Sequence, residues 1–404
     1  MPRTEETRRS FLARGVLASA GLAIAGRVCM GAESPRTSLA AVHLGPGEKL
    51  RIAILGCGNR SQAHIQAVNT YAEHMEVAAL CDIRPEKLDE KKKLVKAGTP
   101  RCYTDYHKML KEADIHAVAV VLPNTLHRAG TIDSLEAGKH VLCEKPLTLK
   151  LADTRAIIEA ADRTGRIVQV GTQSRHSPGY TALARKLREG LIGPVLYGVA
   201  QTFRSDWVKL YPDPEEDSRK NWRMKQEEGG SVVYEMGIHI IDVFNWFIDS
   251  EPEEITCLGG VHNRKLEKRN SWDHAGIVVR YANGALMTYG GNLYACGGPG
   301  PDILFGEEGT LQLGSRGADE AVLRKCAYWH PYGKGTGPQK TETIKLPTSK
   351  TDPSTLQYLH FFEAVQGKKA AFPSARDHLP AVLIARAAQL SQAEHRHIKA
   401  SEVT

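Results

Sequence analysis

From Leu50 onward the chain alternates short apolar runs with segments whose apolar positions recur every three or four residues. The runs Leu50–Gly56, Glu76–Asp82, Ala117–Pro123, His140–Glu144 and Arg166–Gly171 predict strands. The amphipathic segments between them, Ser61–Tyr71, Pro85–Lys96, His127–Ala137 and Leu149–Arg163, predict helices. Strands that are apolar on both faces and separated by helices imply a parallel sheet covered on both sides. After Gly171 the pattern changes. Val195–Phe203, Ile255–Gly260, Ala275–Tyr281 and Ala285–Gly291 are longer and alternate apolar with polar positions. Tyr281-Ala282-Asn283-Gly284 is a hairpin turn between two of them. This half predicts an open, largely antiparallel sheet with one helix near Val232–Phe247, followed by helices at Ser354–Val365 and His378–Glu394. The expected fold class is α/β, with a first domain over 49–172 and a second over 173–394. The last helices are free to pack back on the first domain.

At 404 residues, with 42% hydrophobic and 25% charged residues, the chain has room for two cores. Its net charge of +7 is dispersed, and the densest run, Lys91-Lys92-Lys93, belongs to a helical pattern. This excludes a nucleic-acid footprint. Eight cysteines stand apart, none in a C-x-x-C pair, which argues against a zinc ribbon or redox motif and predicts mostly free, buried thiols. No metal site is expected. Ahead of the domains, Thr7-Arg8-Arg9-Ser10-Phe11-Leu12 opens an apolar run, Val16–Ala25, that is too short to span a bilayer. This is the pattern of a twin-arginine export signal, taken as residues 1–30 with a linker over 31–48. The expected location is periplasmic or otherwise outside the cytoplasm. A cofactor-dependent enzyme exported folded would carry its cofactor with it and regenerate it within its own cycle.

Gly56-x-Gly58-x-x-Ser61 lies between a predicted strand and a predicted helix. Glycines there let backbone approach a pyrophosphate at the positive helix end. Asp82 ends the next strand, where a carboxylate binds ribose hydroxyls and disfavours a 2′-phosphate. NAD is therefore the expected cofactor. Arg84 keeps NADP as the alternative.

Four motifs give the chain its resemblance to the Gfo/Idh/MocA family of glucose-fructose oxidoreductase and inositol dehydrogenase type. They are Gly56-x-Gly58 with His64, Leu122-Pro123-Asn124-x-x-His127, Glu144-Lys145-Pro146, and Gly237-x-His239-x-x-Asp242 preceded by Gly229-Gly230. The match runs from Lys49 to about Glu394. It implies a Rossmann dinucleotide-binding domain followed by an α/β domain, and hydride transfer between nicotinamide and a sugar or cyclitol carbon. It also implies that Gly56, Gly58, Asn59, Arg60, Asp82, Asn124, His127, Glu144 and Lys145 serve the cofactor. Lys145 would bind the reacting hydroxyl and His239 would exchange its proton. Two positions depart from the family pattern: Glu235 stands where inositol dehydrogenases carry aspartate, and Leu122 where threonine is common.

The local spacing is compatible with these roles. On a regular helix Glu235, His239 and Asp242 share one face, so a carboxylate one turn from the imidazole orients it. Structural alternatives stand beside each: a core histidine, a strand-end lysine, solvated or ion-paired carboxylates. On the substrate side, Gln173, Arg175 and His176 follow the sixth strand, and Trp207, Tyr211, Trp222 and Arg223 lie in a polar stretch suited to carbohydrate. Gln173, Arg175, Trp222 and Asp242 are the substrate-facing candidates. The functional expectation is an NAD(P)-dependent oxidoreductase acting on a sugar, glycoside or cyclitol, and a homo-oligomer built through the second sheet. Its alternatives are a redox-neutral NAD-dependent glycosidase and a non-catalytic sugar sensor.

Overall fold

The computed structural model describes residues 40–204, 222–262, 269–295, 298, 300–314, 319–325 and 340–404. The arginine-containing N-terminal segment, Trp207 and Tyr211 lie outside the described residues.

In the first half, β1 (Leu50–Leu55), β2 (Met75–Cys81), β3 (Arg101–Tyr103), β4 (Ala117–Val120), β5 (His140–Cys143) and β6 (Val168–Val170) form a parallel sheet in the order β3-β2-β1-β4-β5-β6. Alternate side chains of β1 enter different cores. Leu50, Ile52 and Ile54 pack on one side of the sheet, and Ala53 and Leu55 on the other. Each large apolar side chain buried this way contributes about 1.5–3 kcal/mol. Ile65 and Val68 of α1 (Ser61–Thr70) cover the first side. Met109 of α3 (Tyr106–Glu112), Leu135 of α4 (His127–Glu136) and Ile157 of α5 (Leu151–Thr164) cover the second. The remaining helix, α2, spans Pro85–Lys92. The order reverses between β1 and β4, which opens a crevice at the strand C-termini.

β3 and α3 were not legible in the sequence. The strand has three residues, two of them exposed, and α3 starts on a cap in which Asp105 accepts from the His107 amide at 2.9 Å. The expected linker also ends earlier than its composition implies. Val42 and Leu44 pack on the first core, and the Val42 amide donates to the Val365 carbonyl at 2.9 Å.

The second half carries α6 (Pro178–Arg188) and a mixed sheet. Its strands are β7 (Val195–Phe203), β8 (Pro252–Gly260), β9 (His274–Tyr281), β10 (Leu286–Asn292), β11 (Ile303–Gly306), β12 (Gly309–Leu313), β13 (Glu320–Lys325), β14 (Lys340–Lys345) and β15 (Ile398–Lys399). β7 and β10 pair parallel, and the other pairs are antiparallel. One face packs on α6, α7 (Ile238–Ile248) and α9 (Ala375–Glu394). The opposite face presents Leu258, Val278 and Phe305, all exposed. Helix α8 (Pro353–Val365) packs on the first domain, where Tyr358 and Phe361 are fully buried against the core that holds Ile65.

Candidate active site

The strand–helix turn after β1 has one glycine demanded by packing and one that is not. At Gly56, φ is +98° and a Cβ would lie 2.3 Å from the Val121 carbonyl oxygen, so a side chain is excluded. At Gly58 a Cβ would meet nothing within 4 Å. That glycine leaves the loop backbone open to an incoming group at the N-terminus of α1, as a pyrophosphate requires. Asn59 is exposed beside it. Asp82 braces the loop from the end of β2: Oδ2 accepts from the Cys57 amide at 2.8 Å and Oδ1 from the Arg84 amide at 3.0 Å. The same carboxylate lies 3.5 Å from Arg84 Nε.

Glu144, at the end of β5, is buried and fully engaged. Oε1 accepts from Arg60 Nε at 2.7 Å and lies 3.0 Å from His64 Nε2, while Oε2 accepts from the Lys145 amide at 3.1 Å. Burial alone would raise this carboxyl's pKa, but Arg60 and His64 outweigh it and hold the group well below the usual carboxylate range. His127 ties two site loops together. Its ring nitrogens lie 2.8 Å from the Pro146 carbonyl oxygen and 2.9 Å from that of Leu122. Only the doubly protonated ring donates to both. Burial opposes that charge, yet Cys143 and the two carbonyls raise the group to about 9.

Lys145 reaches across to the second half. Its Nζ donates to the Glu235 carbonyl oxygen at 2.8 Å and lies 3.9 Å from Glu235 Oε2. Burial lowers its pKa against the opposing pull of Glu235. Glu235 is itself clamped: Oε1 accepts from Asn124 Nδ2 at 3.1 Å and Oε2 from Arg223 Nε at 2.9 Å. Burial would push its carboxyl up, and Arg223 and Lys145 together bring it below the usual range. Asn124 also donates to the Gly229 carbonyl at 3.1 Å, joining the β4 loop to the segment that leads into Glu235.

The helix carrying Glu235 and His239 departs from the regular α-helix read from the sequence. Val233–Gly237 is a π-helical segment in which the Ile238 amide donates to the Val233 carbonyl, and α7 follows. Wide turns of this kind recur at functional sites. Here the segment presents both the carbonyl and the carboxylate of Glu235 to Lys145. His239 is half-buried in the first turn of α7.

Two expected substrate groups are structural instead. Arg175 and Asp242 are 2% and 0% exposed and bind each other, with Arg175 Nε on Asp242 Oδ2 at 2.6 Å. His378 Nδ1 lies 3.1 Å from Asp242 Oδ1, and the Arg175 guanidinium lies 5.4 Å from the rings of both Trp246 and Phe372, which are in contact with each other. A buried carboxylate in this chain needs a buried cation, and the helix spacing placed Asp242 on the inner side of α7. Trp222 is also buried, and the Arg223 guanidinium lies 4.0 Å above its ring. Trp222 thus supports Arg223. Gln173 is half-buried at the start of a 3₁₀ turn, Gln173–His176. Arg223 is the site residue that sequence patterning did not isolate; the Trp-Arg step just before Gly229-Gly230 was its one local signal.

Among the described residues no group of three histidine, cysteine or acidic side chains is arranged to hold a metal ion, and no helix is long and apolar enough to cross a membrane. Cys57, Cys81, Cys143 and Cys257 are buried free thiols and Cys102 is exposed.

Residues 50–172 match the family model described as "Oxidoreductase family, NAD-binding Rossmann fold", and residues 180–312 match the GFO/IDH/MocA C-terminal domain. The chain belongs to the Gfo/Idh/MocA oxidoreductase family, and its first half is an NAD-binding Rossmann domain. Inositol 2-dehydrogenase of Salmonella typhimurium is 29% identical over 51% of this chain, which spans 56% of that enzyme's length. Myo-inositol 2-dehydrogenase of Thermotoga maritima is 26% identical over 88% of this chain and 99% of its own. Among solved structures, levoglucosan dehydrogenase in complex with NADH and levoglucosan shares the fold with a TM-score of 0.75 at 20% identity, covering 87% of this chain and 100% of that one. Aldose-aldose oxidoreductase from Caulobacter crescentus does so with a TM-score of 0.71 at 22% identity, covering 87% and 100%.

Proposed function

We propose that the protein transfers hydride between NAD and a hydroxyl-bearing carbon of a sugar, glycoside or cyclitol. The observation that carries this reading is the placement of Lys145 Nζ on both oxygen types of Glu235, 2.8 Å from its carbonyl and 3.9 Å from its carboxylate, beside the open glycine loop. The residues fit the cofactor: the loop at Gly58 is open, and Asp82 stands where ribose hydroxyls would be bound. Gly56, Gly58, Asn59, Arg60 and Asp82 would hold it, with NAD favoured over NADP by the Asp82 carboxylate. Bound there, the nicotinamide supplies the hydride acceptor or donor.

The chain's own residues handle the proton. Lys145, with its charged form disfavoured by burial, hydrogen-bonds the reacting hydroxyl. Glu235, kept ionised by Arg223 and Lys145, fixes the ammonium's direction. His239 takes the hydroxyl proton in oxidation and returns it in reduction, as a positioned base must. Asn124 and His127 hold the loops that set these distances.

The N-terminal Arg8-Arg9 pattern supports export in a folded, cofactor-loaded state. Such an enzyme would recycle its nicotinamide with a second substrate, or run a redox-neutral glycoside cleavage in which the sugar is oxidised, loses its glycosidic oxygen, adds water and is reduced again. We further propose that the exposed face of the second sheet packs on another copy of the chain. Across that face Leu286 pairs with Tyr197 and Tyr197 with Phe305, with Val278 and Leu258 on the neighbouring rows.

The test is to purify the protein without added nicotinamide and follow the near-ultraviolet absorbance of the reduced cofactor on adding a panel of polyols, aldoses and glycosides. A stoichiometric rise with one polyol supports hydride transfer on carried cofactor. Glycoside cleavage without a lasting rise supports the redox-neutral cycle. No response, with NAD or NADP supplied, contradicts both and favours a sensor.

A further inference from the structure

A buried chain of polar groups connects Lys145 to a helix distant in sequence. Tyr358 of α8 is fully buried, and its hydroxyl lies 2.7 Å from His64 Nδ1. The phenol ring meets the imidazole edge-on at 5.7 Å. His64, 1% exposed on α1, places Nε2 3.0 Å from Glu144 Oε1. The other oxygen of Glu144 accepts from the Lys145 amide, and Arg60 of the glycine loop closes on Oε1.

The donor directions follow from chemistry. Ionised Glu144 only accepts, so His64 Nε2 must carry a proton toward it. Burial lowers the pKa of His64 and raises that of Tyr358, so the ring is neutral and the phenol intact. A neutral imidazole protonated at Nε2 has its lone pair at Nδ1, and the Tyr358 hydroxyl must donate there. The phenol thereby fixes the tautomer, and the tautomer fixes the carboxylate.

We propose that Tyr358 and His64 are positioning residues which, through Glu144, lock the backbone at Lys145 and make α8 a working part of the active site. The relay also joins the glycine loop through Arg60, so cofactor seating and lysine placement share one carboxylate. The kinetic part of this inference rests on the dehydrogenase reading above; the structural part does not.

Three variants test it: Tyr358→Phe removes the hydroxyl and keeps the ring, His64→Leu removes both bonds, and His64→Gln retains a side-chain N–H donor and an acceptor. The first readout is the rate at which acetic anhydride acylates Lys145 in the full chain, followed by mass spectrometry, with the exposed Lys92 as the surface control. Tyr358→Phe and His64→Leu should raise the Lys145 rate by about threefold or more through local loosening, while His64→Gln stays close to wild type. Unchanged Lys145 acylation in a folded Tyr358→Phe protein overturns the proposal. The second readout is turnover of myo-inositol, or whichever panel polyol the wild type oxidises. Tyr358→Phe should lower kcat about tenfold, equivalent to 1.4 kcal/mol in the barrier, with KM little changed. A wild type inactive on every polyol contradicts the dehydrogenase reading, and acylation still decides the relay.

Discussion

At single residues, charge and burial separate the groups proposed to act from those that support the fold. Lys145→Met should lower turnover by roughly 100- to 10,000-fold, the range for a positioned proton-transfer group, without changing the melting temperature appreciably. Steady-state kinetics beside thermal melting checks this. Asp242→Asn should do the reverse. It leaves Arg175 charged and unpaired in a site that is 2% exposed, and should cost about 3–5 kcal/mol of stability in urea unfolding. The sequence distinguished these roles unevenly. Glu144-Lys145-Pro146 and the glycine loop were legible because each combines an unusual residue string with a strand end. Asp242 and Arg175 were misassigned to substrate because helix spacing shows which residues share a face without showing what that face meets. Arg223 was grouped with the substrate-side aromatics, and its pairing with Glu235 was missed because Glu235 sits on a turn whose π geometry no periodicity signals.

At the level of elements, the parallel strands followed from short continuous apolar runs, and their helices from period-3.6 patterning. The short β3, the capped α3 and the outer strands β11 to β14 did not: β3 and β14 are largely exposed, and α3 and β11 to β13 are too short for a periodic pattern to stand out, although they bury residues such as Met109, Leu304, Leu311 and Leu323. Buried titratable groups on α1, on β5 and in the turn Gln173–His176 set much of the pH response. His64, His140 and His176 have pKa values below the free value of 6.5, lowered chiefly by burial; His140 falls to about 4 and His176 to about 3. The unfolded chain therefore binds more protons than the folded one between those values and 6.5, so stability rises with pH in that window. Glu144, Glu235 and Asp242, with depressed pKa values, add the same sign lower down, their contribution being present above the free carboxyl range and lost as pH falls through the folded values. His127, raised to about 9, contributes oppositely: its stabilisation is complete below 6.5 and lost as pH rises through 9. Melting temperature should thus fall steadily on acidification below 6.5 and decline again toward pH 9; a flat profile from 4 to 7 would contradict the buried neutral histidines.

For the whole molecule, the proposed site draws on two domains: Lys145 comes from the end of the first sheet and meets Glu235, which leads into the helix under the second, with His239 one turn further on. The exposed face of that second sheet carries the apolar residues on which the proposed contact with another copy of the chain rests. Leu258 is 72% exposed and Val278 is 44% exposed on adjacent strands. The double substitution Leu258→Glu with Val278→Glu should reduce the sedimentation coefficient to that of a smaller assembly; an unchanged coefficient would contradict the proposed contact. The central claim concerns the site between the domains. Its most direct measurement is the transfer of deuterium from a carbon-deuterated polyol substrate to the nicotinamide, read by mass spectrometry of the released cofactor, in the wild type and in Lys145→Met. Deuterated cofactor is expected from the wild type and almost none from the variant at equal cofactor content. Deuterated cofactor formed equally well by both proteins would contradict the assignment of the reaction to this lysine.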